Sequence, residues 1–154
     1  MWNQILMTIA EKILNFLFKK EEIYKELNNK QQLYLRRWFI VKSKWFRPKV
    51  YIHKFYYPDL DRDPHDHPWN SWIFMISGRY QELIYKKTME GTLIVRRYFR
   101  KGPSIRKMSS TTIHTIARLD STYVWTLFIT GPKHREWGFL TPNGWVHWRN
   151  YLKI

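Results

Sequence analysis

From residue 33 onward the chain is a succession of short runs rich in β-branched and aromatic residues, cut at close intervals by turn formers. The runs read "LYLRRWFIVKSKWF", "KVYIHKFYY", "NSWIFMIS", "RYQELIYKK", "TLIVRRYF", "STTIHTIARL" and "TYVWTLFIT", divided by "RP", "YPDLDRDP", "SGR", "MEG", "KGPS", "LDS" and "TGPK". No segment of helical period separates them, so helical crossovers and a parallel sheet are excluded. Short strands at this spacing predict a mainly β, mostly antiparallel sandwich or small barrel. "LTPNGW", residues 140–145, adds a turn in which Asn143-Gly144 favours positive φ.

Ahead of the strands, residues 2–27 read as an amphipathic α-helix. Trp2, Ile5, Leu6, Ile9, Ile13, Leu14 and Leu17 recur at three- and four-residue spacing, and Asn3 is positioned as an N-cap. Such a helix packs on its own domain, forms a dimer contact, or lies in the plane of a membrane. The chain divides into an N-terminal helical segment, 1–32, and a barrel over 33–154 with its C-terminal tail packed on it.

Composition narrows the chemistry. Hydrophobic residues make 44% of the chain and aromatics 18%, which excludes a disordered protein and supplies a core. The absence of cysteine excludes disulfides, thiolate metal sites and a thiol nucleophile. Met1-Trp2-Asn3 lacks the basic start of a signal peptide, and no apolar run reaches the length of a membrane span, so a cytoplasmic protein is expected.

A net charge of +15 suits an anionic partner, either nucleic acid or an acidic surface. Residues 19–49 hold ten Lys or Arg against three Glu, interleaved with Trp38, Phe39, Trp45 and Phe46. That pattern is either a grip for single-stranded nucleic acid or an amphipathic strand edge with solvated bases.

The segment "DRDPHDHPWN", residues 61–70, carries the sharpest signal. In extended backbone His65 and His67 share one face about 7 Å apart, with Asp66 turned away toward a base such as Arg62. Pro64 and Pro68 restrict the backbone around them. His114, in "TTIHTIA", completes a possible trio, and three neutral imidazoles are an established ligand set for a divalent ion. Glu82 is the acid on the following strand. Pointing inward it is a fourth ligand or an acceptor for a ligand N–H; pointing outward it is a solvated charge. His53 and Tyr51 alternate on "VYIHKF" and are candidates to line the same pocket. His134 and His147 fall in loop and tail segments.

His65-x-His67, a strand, Gly78 and a later His on a further strand resemble the cupin superfamily, small β-barrels with a metal in the mouth. Where the usual first cupin motif has a Glu seven residues before its glycine, this chain has Ser71. Within the superfamily "HDHPWNSWIFMISGRYQE" is similar to cysteine dioxygenases, which hold ferrous iron by three histidines. That likeness implies His65, His67 and His114 as ligands. It puts His53 at the place of those enzymes' substrate-binding Arg and leaves "LFITGP" without their active-site Tyr. From about residue 34 to the end the chain also resembles cupin-like proteins of bacterial and phage genomes.

The resemblance implies a mononuclear metal protein, with Fe(II) favoured over Zn, Ni or Mn. Its expected activity is dioxygenase-like oxidation of a small anionic substrate, with Ser71, Arg62, His53 and Tyr51 as second-rank contacts. The sequence leaves the oligomeric state open, with a homodimer as one candidate assembly. The alternatives are a metal- or small-ligand-binding accessory or viral protein without catalysis, and a basic nucleic-acid or membrane-surface binder using the barrel as scaffold.

Overall fold

The computed structural model describes residues 2–27, 29–41, 48–59, 62–89 and 91–154, and the side chains of 2–4, 27, 87–88 and 91–93 lie outside that description. Helix α1 (Trp2–Leu17) leads into β1 (Lys20–Leu27), β2 (Lys30–Val41) and β3 (Lys49–Phe55). Then come β4 (Ser71–Ser77), β5 (Arg79–Thr88), β6 (Gly91–Lys101), β7 (Ser104–Met108), β8 (Ile113–Leu119) and β9 (Val124–Thr130). The hairpin β10 (Gly138–Thr141)–β11 (Gly144–His147) and the short α2 (Trp148–Leu152) close the chain.

All strand pairs are antiparallel. One sheet runs β1-β2-β3-β9-β4-β7 and the other β6-β5-β8, with β10-β11 as a separate ribbon. The two larger sheets enclose the core as an antiparallel barrel. Alternation assigns each strand two faces. On the six-stranded sheet Arg37, His53, Thr126, Ile73 and Arg106 face the interior cavity, while Trp38, Trp72 and Ile105 face out. Met75, Tyr80, Ile116 and Val124 form a buried cluster between the sheets.

Gly78 joins β4 to β5 at φ +93°, and a Cβ there would lie 2.4 Å from Tyr123 O, so only glycine fits. Gly144 likewise has positive φ in the turn expected at Asn143-Gly144.

The expected N-terminal helix is corrected at its far end. It stops at Leu17, and residues 20–27, "KEEIYKEL", form the edge strand β1. Lys and Glu favour a helix there, but pairing along β2 from Lys20↔Trp38 to Leu27↔Lys30 overrides that propensity. The sheet thus begins at Lys20. Asn3, the expected N-cap, falls within the helix rather than before it. A further strand, β7, occupies "SIRKM", which the sequence reading passes over because Lys101–Ser104 looks like a simple break. The expected continuation of β2 through Trp45 and Phe46 lies outside the described residues.

α1 lies against the outer side of the six-stranded sheet. Beneath it Trp38 is fully buried and stacks on Trp125 with ring centres 5.4 Å apart. Trp38 Nε1 donates to Asn15 Oδ1 at 3.0 Å.

Candidate metal centre

The connection between β3 and β4 folds back over the barrel mouth, and backbone bonds hold it there. His65 and His114 exchange both N–H···O=C bonds, each at 3.0 Å, and His67 N donates to Ser110 O at 3.1 Å. His65 is therefore locked beside β8, opposite the residue whose ring it must meet. Ring centres lie 5.2 Å apart for His65–His67, 5.0 Å for His65–His114 and 5.1 Å for His67–His114. One ring nitrogen from each lies within 4.8 Å of the others. His67 Nε2 and His114 Nε2 are 2.8 Å apart, and His65 Nδ1 is buried with no hydrogen-bond partner.

Asp66 points away from this trio, but its partner is not Arg62. Asp66 Oδ2 accepts from Arg135 Nη1 at 2.8 Å and Trp145 Nε1 at 3.2 Å, and Oδ1 accepts from Gly138 N at 2.8 Å. Arg135 Nη1 also donates to Ser110 O at 2.7 Å and His67 O at 3.3 Å. The tail "HREWGF" thus clamps the histidine loop onto the turn between β7 and β8. Tyr151 of α2 stacks on Phe139 at 3.9 Å, and its hydroxyl accepts from Asp63 N at 3.1 Å.

Glu82 is fully buried, so it is not a solvated charge. It sits behind His114 rather than in the ring of ligands. Glu82 Oε1 lies 2.9 Å from His114 Nδ1 and 2.6 Å from Arg106 Nη2, and Oε2 accepts from Arg100 Nε at 2.9 Å. Burial pushes a carboxyl up, yet the His114 bond and the Arg106 and Arg100 charges outweigh it and hold Glu82 down at about 2. An ionised carboxylate only accepts, so Nδ1 of His114 donates to Glu82, and Nε2 is the nitrogen turned toward His67.

Burial, reinforced by His114, lowers His65 to about 4 against the opposing pull of Asp59. Burial, then the neighbouring His114 and His65, also lowers His67 well below an ordinary histidine. Near neutral pH both rings are therefore uncharged, the state in which imidazole binds a metal.

The trio opens onto a cavity of about 410 Å³ with mainly apolar walls, among them Ile73, Phe128 and Phe139. Arg37, Arg62, Arg106 and Lys133 bring positive charge to its lining, and among the described lining residues Asp59 is the one acid. His53 faces this cavity as expected of the pocket wall. It accepts from Arg37 Nε at 3.2 Å and stacks on Phe128 at 5.3 Å. Arg62 also reaches the cavity.

Tyr51 and Ser71 do not reach it. Tyr51 is buried next to His53, and Ser71, on the face of β4 shared with Ile73, is buried with Oγ unpartnered, as is Oγ1 of its register partner Thr130. Trp38, which a grip on single-stranded nucleic acid would need at the surface, is sealed under α1, in keeping with the strand-edge alternative. His134 is exposed with Nε2 3.0 Å from Ser110 Oγ, and His147 Nε2 lies 3.0 Å from Glu136 Oε2.

Sequence reasoning missed Arg37, Arg100, Arg106 and Asp59. Asp59 accepts from Tyr34 and from Ile116 N, and pairs with buried Lys25 at 3.7 Å. Lys25 arrives on β1, the strand read as helix. A period-two reading of "EIYKE" would have placed Ile23 and Lys25 on one inward face.

Comparison of the fold with solved structures gives consistent neighbours. A cupin-2 domain protein of Rhodospirillum rubrum matches with a TM-score of 0.55 at 6% identity, over 82% of this chain and 78% of that one. The fold is that of the cupins. Bacillus subtilis oxalate decarboxylase matches at 0.52 and 15% identity, over 78% of this chain and 30% of that one. The iron(II) form of HppE matches at 0.51 and 11% identity, over 73% and 56%. The chain therefore spans less than a third of the decarboxylase. No family model matches this chain, and no curated protein is similar to it in sequence.

Proposed function

We propose that this cupin is a mononuclear metal enzyme in which His65, His67 and His114 hold one divalent ion and a small anionic substrate is oxidised beside it. The observation that carries the reading is the convergence of three imidazoles, one with an unpartnered buried nitrogen, on the lining of one mainly apolar cavity. Two ligands at right angles with bonds of about 2.1 Å sit about 3.0 Å apart. The 2.8 Å between His67 Nε2 and His114 Nε2 fits that spacing. Fe(II) is favoured, with Mn, Zn or Ni as alternatives. Support comes from the neighbours, since HppE is described with Fe(II) and the B. subtilis decarboxylase with Mn(II) centres.

When bound, such an ion supplies Lewis acidity and, if redox-active, electron transfer to dioxygen. The protein's own groups do the rest. Three neutral ligands leave the ion's charge uncompensated in an apolar pocket, which favours an anion beside it. Arg37 and Arg62 attract and orient that anion, and Phe128, Phe139 and Ile73 exclude water. Glu82 keeps the His114 proton on Nδ1 and its lone pair toward the ligand centre.

Metal analysis of the purified protein tests the site: about one ion per chain in the wild type and none in His65→Ala, with a folded circular-dichroism spectrum in both. An equal metal content in the two proteins would remove the site. Oxygen uptake after Fe(II) loading, against a panel of thiols and small carboxylic acids, tests the activity. Metal retention without uptake on any of them would leave a binding protein and no oxidase.

A further inference from the structure

Helix α1 has its polarity reversed. Its one acid, Glu11, is turned toward the sheet, where it pairs with Arg36 and with Lys54 Nζ at 2.7 Å, and Asn15 accepts from the buried Trp38. At 3.6 residues per turn, Ile5, Leu6, Ile9, Ile13, Phe16 and Leu17 fall within an arc of about 120° on the opposite side. Those six side chains are 50–89% exposed. A surface helix ordinarily buries such an arc and shows its polar residues to water. Here the apolar arc is the outward one.

Charge and length narrow what covers it. Lys12 lies at the edge of the arc and Lys19 and Lys20 follow the last turn, all exposed. With Glu11 neutralised on the inner side, the helix surface facing out carries no acid. Trp72 and Ile105, 47% and 56% exposed, lie on the same outer side of the sheet, on β4 and β7. A second copy would bring its own +15 charge to the contact, whereas an anionic bilayer brings the opposite sign. No described helix is long and apolar enough to cross a membrane, so the helix would lie in the plane of the surface.

We propose that α1 is an in-plane membrane anchor that docks this chain on an anionic phospholipid surface, its apolar arc immersed and its lysines against the headgroups. The anchor is independent of the metal site, which lies on the inner side of the six-stranded sheet, toward β8.

The full chain is floated with vesicles of phosphatidylcholine alone and of equal parts phosphatidylcholine and phosphatidylglycerol. The protein is expected to partition onto the mixed vesicles and to remain behind with the neutral ones. Raising the salt from about 0.1 M to about 1 M, which cuts the screening length roughly threefold, should lower partitioning steeply. Ile9→Glu with Phe16→Glu removes the immersed face and should lower it about tenfold or more. Lys12→Gln with Lys19→Gln keeps that face and should also cost about tenfold. Unchanged circular dichroism and metal content in these variants show that the barrel is intact. Equal partitioning onto both vesicle types, or none onto either, would overturn the proposal. So would sedimentation showing a dimer that I9E/F16E dissociates, because the arc would then belong to a second copy.

Discussion

Glu82 decides which nitrogen of His114 faces the ligand centre, although it does not belong to the ligand set. Its two oxygens are shared by His114, Arg106 and Arg100 inside the barrel wall. Glu82→Gln keeps the shape but removes the charge that holds the tautomer and balances two guanidinium groups. Metal affinity should fall about 10- to 100-fold, the usual cost of losing a carboxylate behind a ligating histidine, measured by competition with a chelator. An unchanged affinity would assign Glu82 to stability alone. The histidine trio was legible because H-x-H between prolines is a rare local pattern. Glu82's position was not, since strand alternation allows either face and only the register Glu82↔Ile116, one bulge from Gln81↔Arg118, sets it beside His114. Asp66 was legible as outward-pointing, but not its clamp on Arg135 and Gly138, which come 69 and 72 residues later.

At the scale of elements, strands with β-branched and aromatic runs were readable and charged strands were not. β3, β4, β8 and β9 announce themselves by composition; β1 and β7 are rich in Lys, Glu and Arg and become strands only by pairing with a neighbour. Gly78 is a strict local requirement, because it sets the β4–β5 turn that brings Glu82 into register. Gly78→Ala forces a side chain into a left-handed backbone and against Tyr123 O. It should destabilise the protein by about 3 kcal/mol, seen as a lower urea midpoint with an unchanged slope. A loss below about 0.5 kcal/mol would mean that the turn relaxes without strain.

For the whole molecule, burying three uncharged histidines makes stability depend on acid. His65 is lowered to about 4, and His53 and His67 are lowered by burial as well. The unfolded chain takes up these protons near pH 6.5 while the folded chain resists them, so stability is complete above about 6.5 and falls as pH drops toward 4. His65 alone accounts for about 3 kcal/mol over that window. Urea denaturation of the metal-free protein at pH 7.5 and pH 5 checks the sign, and equal midpoints would show that the rings titrate normally. The order of strands and turns, the lack of cysteine and the two nearby histidines are local features, so the antiparallel barrel and a histidine-based site could be read from the sequence itself. Only the tertiary structure placed His114 against His65, brought Glu82 and Arg106 behind it, and turned the apolar side of α1 outward. Those depend on contacts between residues far apart in the chain, where one step of strand register or a fraction of a helical turn exchanges the inner face for the outer.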